Sequence, residues 1–401
     1  MHHEPTGSAE RVIAYVEGDI WLGHGASQRR LFLKTMLSMG WKVVLVAWEA
    51  LGSSQDTLDE FPDAASRIHC ISIPVKPDGY EVPERWKMIQ ASIKAAEQQT
   101  GWHVDLAFLA WYDNLRPHRK QLKACLGILE CPWVGFYFHP SQYRWNTPLG
   151  FRKRIRQIQV DVQMLRQPQS RGLGILDEGL GFPLRWILRK KALVVLPEQT
   201  EVESSFSAEA LELRRLAAGR PIVGLLGRLS PRKGVLNFLR AAQAIDPSKA
   251  CFLLAGKFRM EDFPPSEREE LGRLLRPAEN LYLKLDHIED AAEFNAFFRA
   301  CDLHILVYEK FFHSSGLLAK AAIFEKPVIV AKGYCMGERV QRYALGTCVP
   351  AKNPDMLQTA ILQILESHLG DDNRFLAGCA AYRETLTDEP FQEALRQLCG
   401  A

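Results

Sequence analysis

The sequence predicts an α/β protein made of two doubly wound domains, and three observations carry that prediction. The chain has 401 residues, enough for two or three domains at about 150 residues each. Short apolar runs alternate with helically spaced stretches through both halves, the pattern of a parallel sheet with helices on both faces. Hydrophobic residues make up 47% and charged residues 24%, which excludes a mainly disordered or fibrous chain.

The first half opens with Arg11–Val16 (RVIAYV), an apolar run short enough to be a buried strand. A polar, glycine-bearing loop follows, Glu17 to Gly25. Ala26–Met39 then has helical spacing, with Leu31, Met36 and Leu37 on one face and Leu33 nearby, and Gly40 closes it as a C-cap. Trp41–Trp48 and Ile68–Val75 are strands, the second stopped by Pro74 and Pro77. Arg85–Gln99 is helical, and Val104–Leu109 and Trp133–Phe138 are strands.

The second half repeats the scheme. Pro221–Leu226 is a strand, Gly234–Ile245 a helix, and Ala250–Ala255 and Leu281–Leu285 are strands. Ala291–Ala300, Leu303–Val307, Ser314–Phe324, Pro327–Ala331 and Gly337–Tyr343 continue the alternation, and Asn353–Ser367 is the last helix of this domain. The boundary falls near Leu196–Ser204, a polar stretch. Two such sheets are expected to face each other across a cleft, with ligands beyond the carboxyl ends of the strands, where glycine loops and helix N-termini present free N–H groups.

The net charge of +3 is too small to indicate a nucleic-acid binder. It is unevenly placed, however. Residues 151–200 hold ten Lys/Arg and four Asp/Glu, a local excess of +6. The cations cluster in Phe151–Arg156 and Arg185–Lys191, among Trp145, Phe151 and Trp186. That mixture suits an anionic membrane surface or an acidic polymer, and a solvated helix face is the alternative. The nine cysteines are odd in number and none is spaced as CxxC, so neither a zinc site nor a disulfide framework is expected. They are expected as buried free thiols in a reducing cytosol. The N-terminus lacks a signal-peptide core, and no apolar run reaches the ~18 residues of a membrane span.

Four loops and one histidine are the candidates for chemistry. Gly227–Gly234 (GRLSPRKG) follows a strand and opens a helix, so its amides and the cations Arg228, Arg232 and Lys233 suit an anion. A solvated basic turn is the alternative. In Phe311–Leu318 (FFHSSGLL), Ser314 and Ser315 are placed to cap a helix and Gly316 admits a ligand to the backbone, with Leu317 and Leu318 in the same first turn. In Lys332–Val340 (KGYCMGERV), Glu338 stands at an expected helix start. It either favours the helix dipole or accepts bonds from sugar hydroxyls. Gly23-His24-Gly25 lies between the first strand and helix but is not GxGxxG, so a dinucleotide reading is weak. His139 ends a strand just before Pro140 and is the candidate acid–base group, with Asp113 a weaker one.

From about Pro221 to Val349 these blocks resemble the group 1 branch of the GT-B-fold glycosyltransferases, retaining enzymes that use nucleotide sugars. The likeness is carried by GRLSPRKG, Ala255–Phe258 (AGKF), Ala300–Gly333 and Glu338–Val349, in that order. It implies that Arg228 and Lys233 contact the donor diphosphate, that Ser314 to Leu318 hold phosphate and sugar, that Gly23 and Gly25 face the donor, and that His139 lies at the sugar. It further implies residues 1–197 as a Rossmann-like acceptor-side domain, 198–380 as the nucleotide-sugar domain, and 381–401, with Phe391–Leu398, as a helix crossing back to the first.

One departure stands out. The family pattern has two glutamates eight positions apart, and Phe312 and Lys320 occupy those places here. The resemblance implies transfer of a sugar from a nucleoside diphosphate sugar to the hydroxyl of a glycan or lipid-linked acceptor, with no cofactor, no metal and no nucleic acid. An inner-membrane surface is an expected partner through residues 151–191. A non-catalytic binder of nucleotide sugar or glycan is the alternative. A sugar-nucleotide epimerase would need a carboxylate set that the sequence does not offer.

Overall fold

The computed structural model describes residues 11–17, 24–49, 54–76, 79–200, 202–203, 207–367 and 372–400. The chain divides into two compact units. One comprises Met1–Pro197 with Asp388–Ala401, and the other Glu198–Thr387.

In the first unit the elements are β1 (Val12–Val16), α1 (His24–Ser38), β2 (Lys42–Trp48), α2 (Ser54–Glu60), β3 (Ile68–Ile73), α3 (Val82–Thr100), β4 (Leu106–Leu109), α4 (Tyr112–Leu115), α5 (Leu122–Cys125), β5 (Trp133–Tyr137), α6 (Phe151–Leu165), β6 (Ser170–Ile175), α7 (Gly181–Leu188) and β7 (Ala192–Val195). The seven strands form one parallel sheet in the order β3-β2-β1-β4-β5-β6-β7. β1 and β4 are buried throughout because helices cover both faces, which is why they read as continuous apolar runs. α1 begins at His24, two residues before its expected start, and buries Phe32, Leu33, Met36 and Leu37, with Leu31 only half-buried.

The second unit contains α8 (Ala208–Ala217), β8 (Ile222–Leu226), α9 (Val235–Ala244), β9 (Cys251–Ala255), α10 (Pro265–Leu274), β10 (Leu281–Lys284), α11 (Ala291–Ala300), β11 (Leu303–Leu306), α12 (Gly316–Ile323), β12 (Val328–Ala331), α13 (Tyr334–Tyr343), β13 (Gly346–Val349), α14 (Pro354–Ser367) and α15 (Asn373–Glu384). Its parallel sheet runs β10-β9-β8-β11-β12-β13. Both units are thus Rossmann-like, with the strand order reversing beside β1 and beside β8.

The last helix, α16 (Asp388–Cys399), packs into the first unit. Phe391 meets Phe32 edge to face at 5.1 Å, and Leu395, Leu398 and Cys399 join the core formed by Ile13, Tyr15 and Phe108. Each such fully buried side chain contributes about 1.5–3 kcal/mol relative to exposure. The expected change of domain at 381 falls instead inside α15, which stays with the second unit. Gly378 presses so closely on the carbonyl of Tyr343 that a Cβ there would overlap it.

Candidate functional site in the second unit

The carboxyl ends of β8, β11 and β12 are neighbours in the sheet, and the three expected loops of the second unit leave from them. After β8 the chain makes a single 3-10 turn, Pro231–Lys233, and enters α9 through Gly234 at φ 73°. Gly227 has φ 100°, a conformation L side chains rarely adopt, and a Cβ there would stand 2.7 Å from Lys233 Nζ. Lys233 is buried. Its ammonium donates to the Leu226 carbonyl at 2.7 Å and lies 5.1 Å from the Tyr308 ring. Burial, and to a lesser degree the charge of Arg232, pulls its pKa down from 10.5 to about 7.

Arg232 stacks on Tyr308 and Phe311, at 5.5 and 4.8 Å, and its backbone carbonyl accepts from the Glu309 amide. These contacts join the β8 loop to the β11 loop. Arg228 is exposed and ion-paired to Asp262 at 3.3 Å. The turn therefore presents Arg228 outward and holds Lys233 inward.

The start of α12 differs from its expected form. Ser314 was expected as a cap, but its hydroxyl donates to Glu198 Oε2 and accepts from Arg339 Nη1. Arg339 also donates to Glu198 at 3.3 Å and to the Tyr382 hydroxyl at 3.1 Å. Ser314 is thus the centre of a buried ion-pair cluster. Ser315 occupies the N-cap position, and its side chain makes no capping bond. A Cβ on Gly316 would meet nothing closer than 3.9 Å. With Leu317 next in the turn and Leu318 buried in the core, this helix start offers backbone amides and room for an anion or a hydroxyl.

Phe312 is T-stacked on Tyr334 at 4.6 Å, joining the β11 and β12 loops. Tyr334 has φ 60°, the left-handed region, just after Gly333 at φ 85°. Lys320 points into the core of its unit, bonded to Asn295 and 5.2 Å from the Phe294 ring. Glu338 was expected at a helix start. α13 begins four residues earlier at Tyr334, so Glu338 sits a turn inside the helix, exposed and away from its positive end. Gly337 is likewise buried within that helix.

In the first unit, His139 follows β5 and its side chain is half-exposed. Asp113, in α4, accepts the amides of Phe138 and His139 at 2.8 Å, and its carboxylate lies 3.6 Å from His139 Nδ1. The loop beyond is fastened from below. Asp161, fully buried in α6, accepts from Arg116, Gln142 and Tyr143, and burial raises its pKa. Arg154, expected in the exposed basic stretch, is 2% exposed and donates to the carbonyls of Gln142 and Arg144. Arg144 in turn grips Asp177 bidentately. Gly23 lies outside the described residues. Gly25 stands in the first turn of α1, not in a loop.

Two acidic groups escaped the sequence reading. Glu198 lay in what read as a linker. Glu17, directly after β1, is buried beside Arg29 at 3.3 Å, and its Oε2 has no hydrogen-bond partner among the described residues. Burial raises its pKa to about 7 against the opposing pull of Arg29. An acid directly after a buried strand was the available signal for it.

Residues 220–367, the stretch holding all three loops, match the family model described as glycosyl transferases group 1. No curated protein matches the sequence. Among solved structures, the chain is similar to sucrose-phosphate synthase from Thermosynechococcus elongatus, with TM-score 0.69, 17% identity, and 97% of this chain and 98% of that one covered. It is similar to Anabaena HepE in complex with UDP and glucose, with TM-score 0.67, 16% identity and coverage of 98% and 100%. It is also similar to the E. coli trehalose-6-phosphate protein bound with UDP-2-fluoro glucose, with TM-score 0.68, 12% identity and coverage of 97% and 99%. Two Rossmann-like units of this kind make up the GT-B fold, and in fold the chain is similar to these structures. The match to the group 1 glycosyl transferase model lies wholly within its second unit.

Proposed function

We propose that the protein transfers a sugar from a nucleoside diphosphate sugar to a hydroxyl of a glycan or lipid-linked acceptor, with retention of configuration and without a metal ion. The observation that carries this reading is the group 1 match over the segment where the Gly227–Gly234 turn and the open α12 start leave adjacent strands. The neighbours bound with UDP and UDP-2-fluoro glucose support a uridine nucleotide as the first donor to try. In this reading Arg228 grips the diphosphate from outside, swinging from Asp262. Lys233 meets it from below, and the α12 amides take a remaining phosphate or sugar oxygen. The departing diphosphate is thereby stabilised as its charge develops. The first unit holds the acceptor, with His139 oriented by Asp113 at the sugar. In this reading the reaction takes place in the cytoplasm at the inner membrane face, in keeping with cysteines that are all buried or half-buried.

The test is a thermal-shift screen of the purified chain against nucleoside diphosphates and their sugar conjugates, followed by release of free sugar or transfer from the best binder. A rise in melting temperature with one base and one sugar, and turnover, supports the reading. No shift with any of them overturns it. Binding with no turnover favours the non-catalytic alternative, which the presence of Phe312 and Lys320 at the two acidic positions of the family pattern recommends.

A further inference from the structure

We propose that the exposed face shared by α6 and α7 docks on an anionic phospholipid bilayer. Docking through this face is independent of the transferase reading. Every exposed Trp and Phe among the described residues falls here: Trp145 at 66%, Phe151 at 68%, Phe182 at 88% and Trp186 at 68%. A soluble surface rarely gathers its large aromatics in one place without a partner.

The arrangement is that of an interfacial helix. On α7, Leu184, Ile187 and Leu188 are buried, while Phe182, Arg185 and Trp186 share the exposed face at helical spacing. Arg189 and Lys190 follow, both exposed. On α6 the exposed N-terminal turn gives Phe151, Arg152 and Lys153, with Arg156 one turn on. Of the three acids in residues 151–191, Asp161 is buried against Arg116 and Asp177 against Arg144, and only Glu178 is partly exposed. The outer face is therefore cationic with aromatics between the charges. This complements a negative leaflet, because rings seat at the headgroup level while guanidinium and ammonium groups meet phosphate.

Two hollows, each of about 400 Å³, flank α6. One is lined by Arg116, His118, Lys153 and Arg156. Asp113 also lines it, its carboxylate already accepting the Phe138 and His139 amides. That hollow suits a lipid phosphate. The other lies beside Trp186 and is lined by Ile155, Ile158 and Val162, which suits the first methylenes of an acyl chain. A hydrated acidic polymer would use the cations but gain nothing from Phe182 or the apolar hollow, and this favours a bilayer.

The experiment is co-sedimentation of the full chain with phosphatidylcholine vesicles, with and without phosphatidylglycerol. Binding to the anionic vesicles is expected to be at least about ten-fold tighter and to weaken as salt rises. F182S/W186S and K153E/R156E should each lower it about ten-fold, while circular dichroism and the thermal shift with UDP stay unchanged. Equal binding to neutral vesicles, no binding to anionic ones, or capture by heparin or single-stranded RNA but not by vesicles would each overturn the proposal. The UDP shift in the same samples reports separately on the donor site.

Discussion

Lys233 Nζ donates to the carbonyl oxygen of Leu226 at 2.7 Å, inside the turn that is matched to a glycosyltransferase domain. A cation kept under its own strand end, with its pKa drawn to about 7 by burial, is a charge held in reserve. In the proposed function an arriving diphosphate supplies the counter-charge that burial removed.

This makes donor binding proton-linked. The free amine is half neutral near its pKa and increasingly neutral above it, and a bound anion raises that pKa. Between the two values, binding takes up a proton, so affinity for UDP should fall as pH rises above about 7. Calorimetry at about pH 8 in two buffers of different ionisation heat should register uptake of up to one proton. Lys233→Met should abolish both the uptake and the slope. Equal heats in both buffers would separate Lys233 from the donor.

Arg228 is the exposed cation of the same turn, paired to Asp262 at 3.3 Å. Arg228→Ala should weaken UDP binding by about ten- to a hundred-fold, since a charge-assisted bond to phosphate contributes about 1.5–3 kcal/mol. Because the side chain is outside the core, melting temperature without ligand should hold. Undiminished affinity would sink the role given to this arginine.

The cluster of Glu198, Ser314, Arg339 and Tyr382 is a matter of stability. Arg339→Met would leave Glu198, whose side chain is only 11% exposed, without the Arg339 cation, at a cost of about 3–5 kcal/mol. Adding Glu198→Gln should recover a large part of that, because the stranded charge is gone. Urea denaturation of the single and double variants measures the coupling, and strictly additive losses would show the pair to be independent.

Glu17 should make the first unit less stable as pH rises. Its folded pKa of about 7 lies above the ordinary 4.5, so between those values the folded state holds more protons than the unfolded one. Stability from this group is fully present below about 4.5 and lost as pH rises through about 7. Glu17→Gln should flatten that loss, which amounts to on the order of 3 kcal/mol. Parallel stability curves for the two proteins from pH 5 to about 8 would contradict it.

The apolar runs made most strands legible. Val12–Val16, Lys42–Trp48, Ile222–Leu226 and Cys251–Ala255 are covered on both faces and so carry a signal that needs no context. β6 and β13 had no such signal. In Ser170–Ile175, Gly172 and Gly174 break the run, yet both are needed because a Cβ would strike Ala192 in one case and the Leu196 and Leu398 side chains in the other. The loops after β8, β11 and β12 were visible from glycine and charge. Ser314 shows the limit: a serine before a helix reads as a cap, and only the half-buried Glu198 and the buried Arg339 redirect its hydroxyl.

By itself, the sequence determined two parallel α/β halves, the order of their strands along the chain, the basic aromatic stretch and the loops where an anion would bind. These follow from local periodicity and residue type. Tertiary structure decided which cation faces outward and which is buried, that Arg154 and Asp161 brace a loop from within, and that α16 belongs to the first unit. Those outcomes depend on burial, on partners as distant in the chain as Phe32 and Phe391, and on electrostatics in a desolvated interior, none of which local pattern encodes.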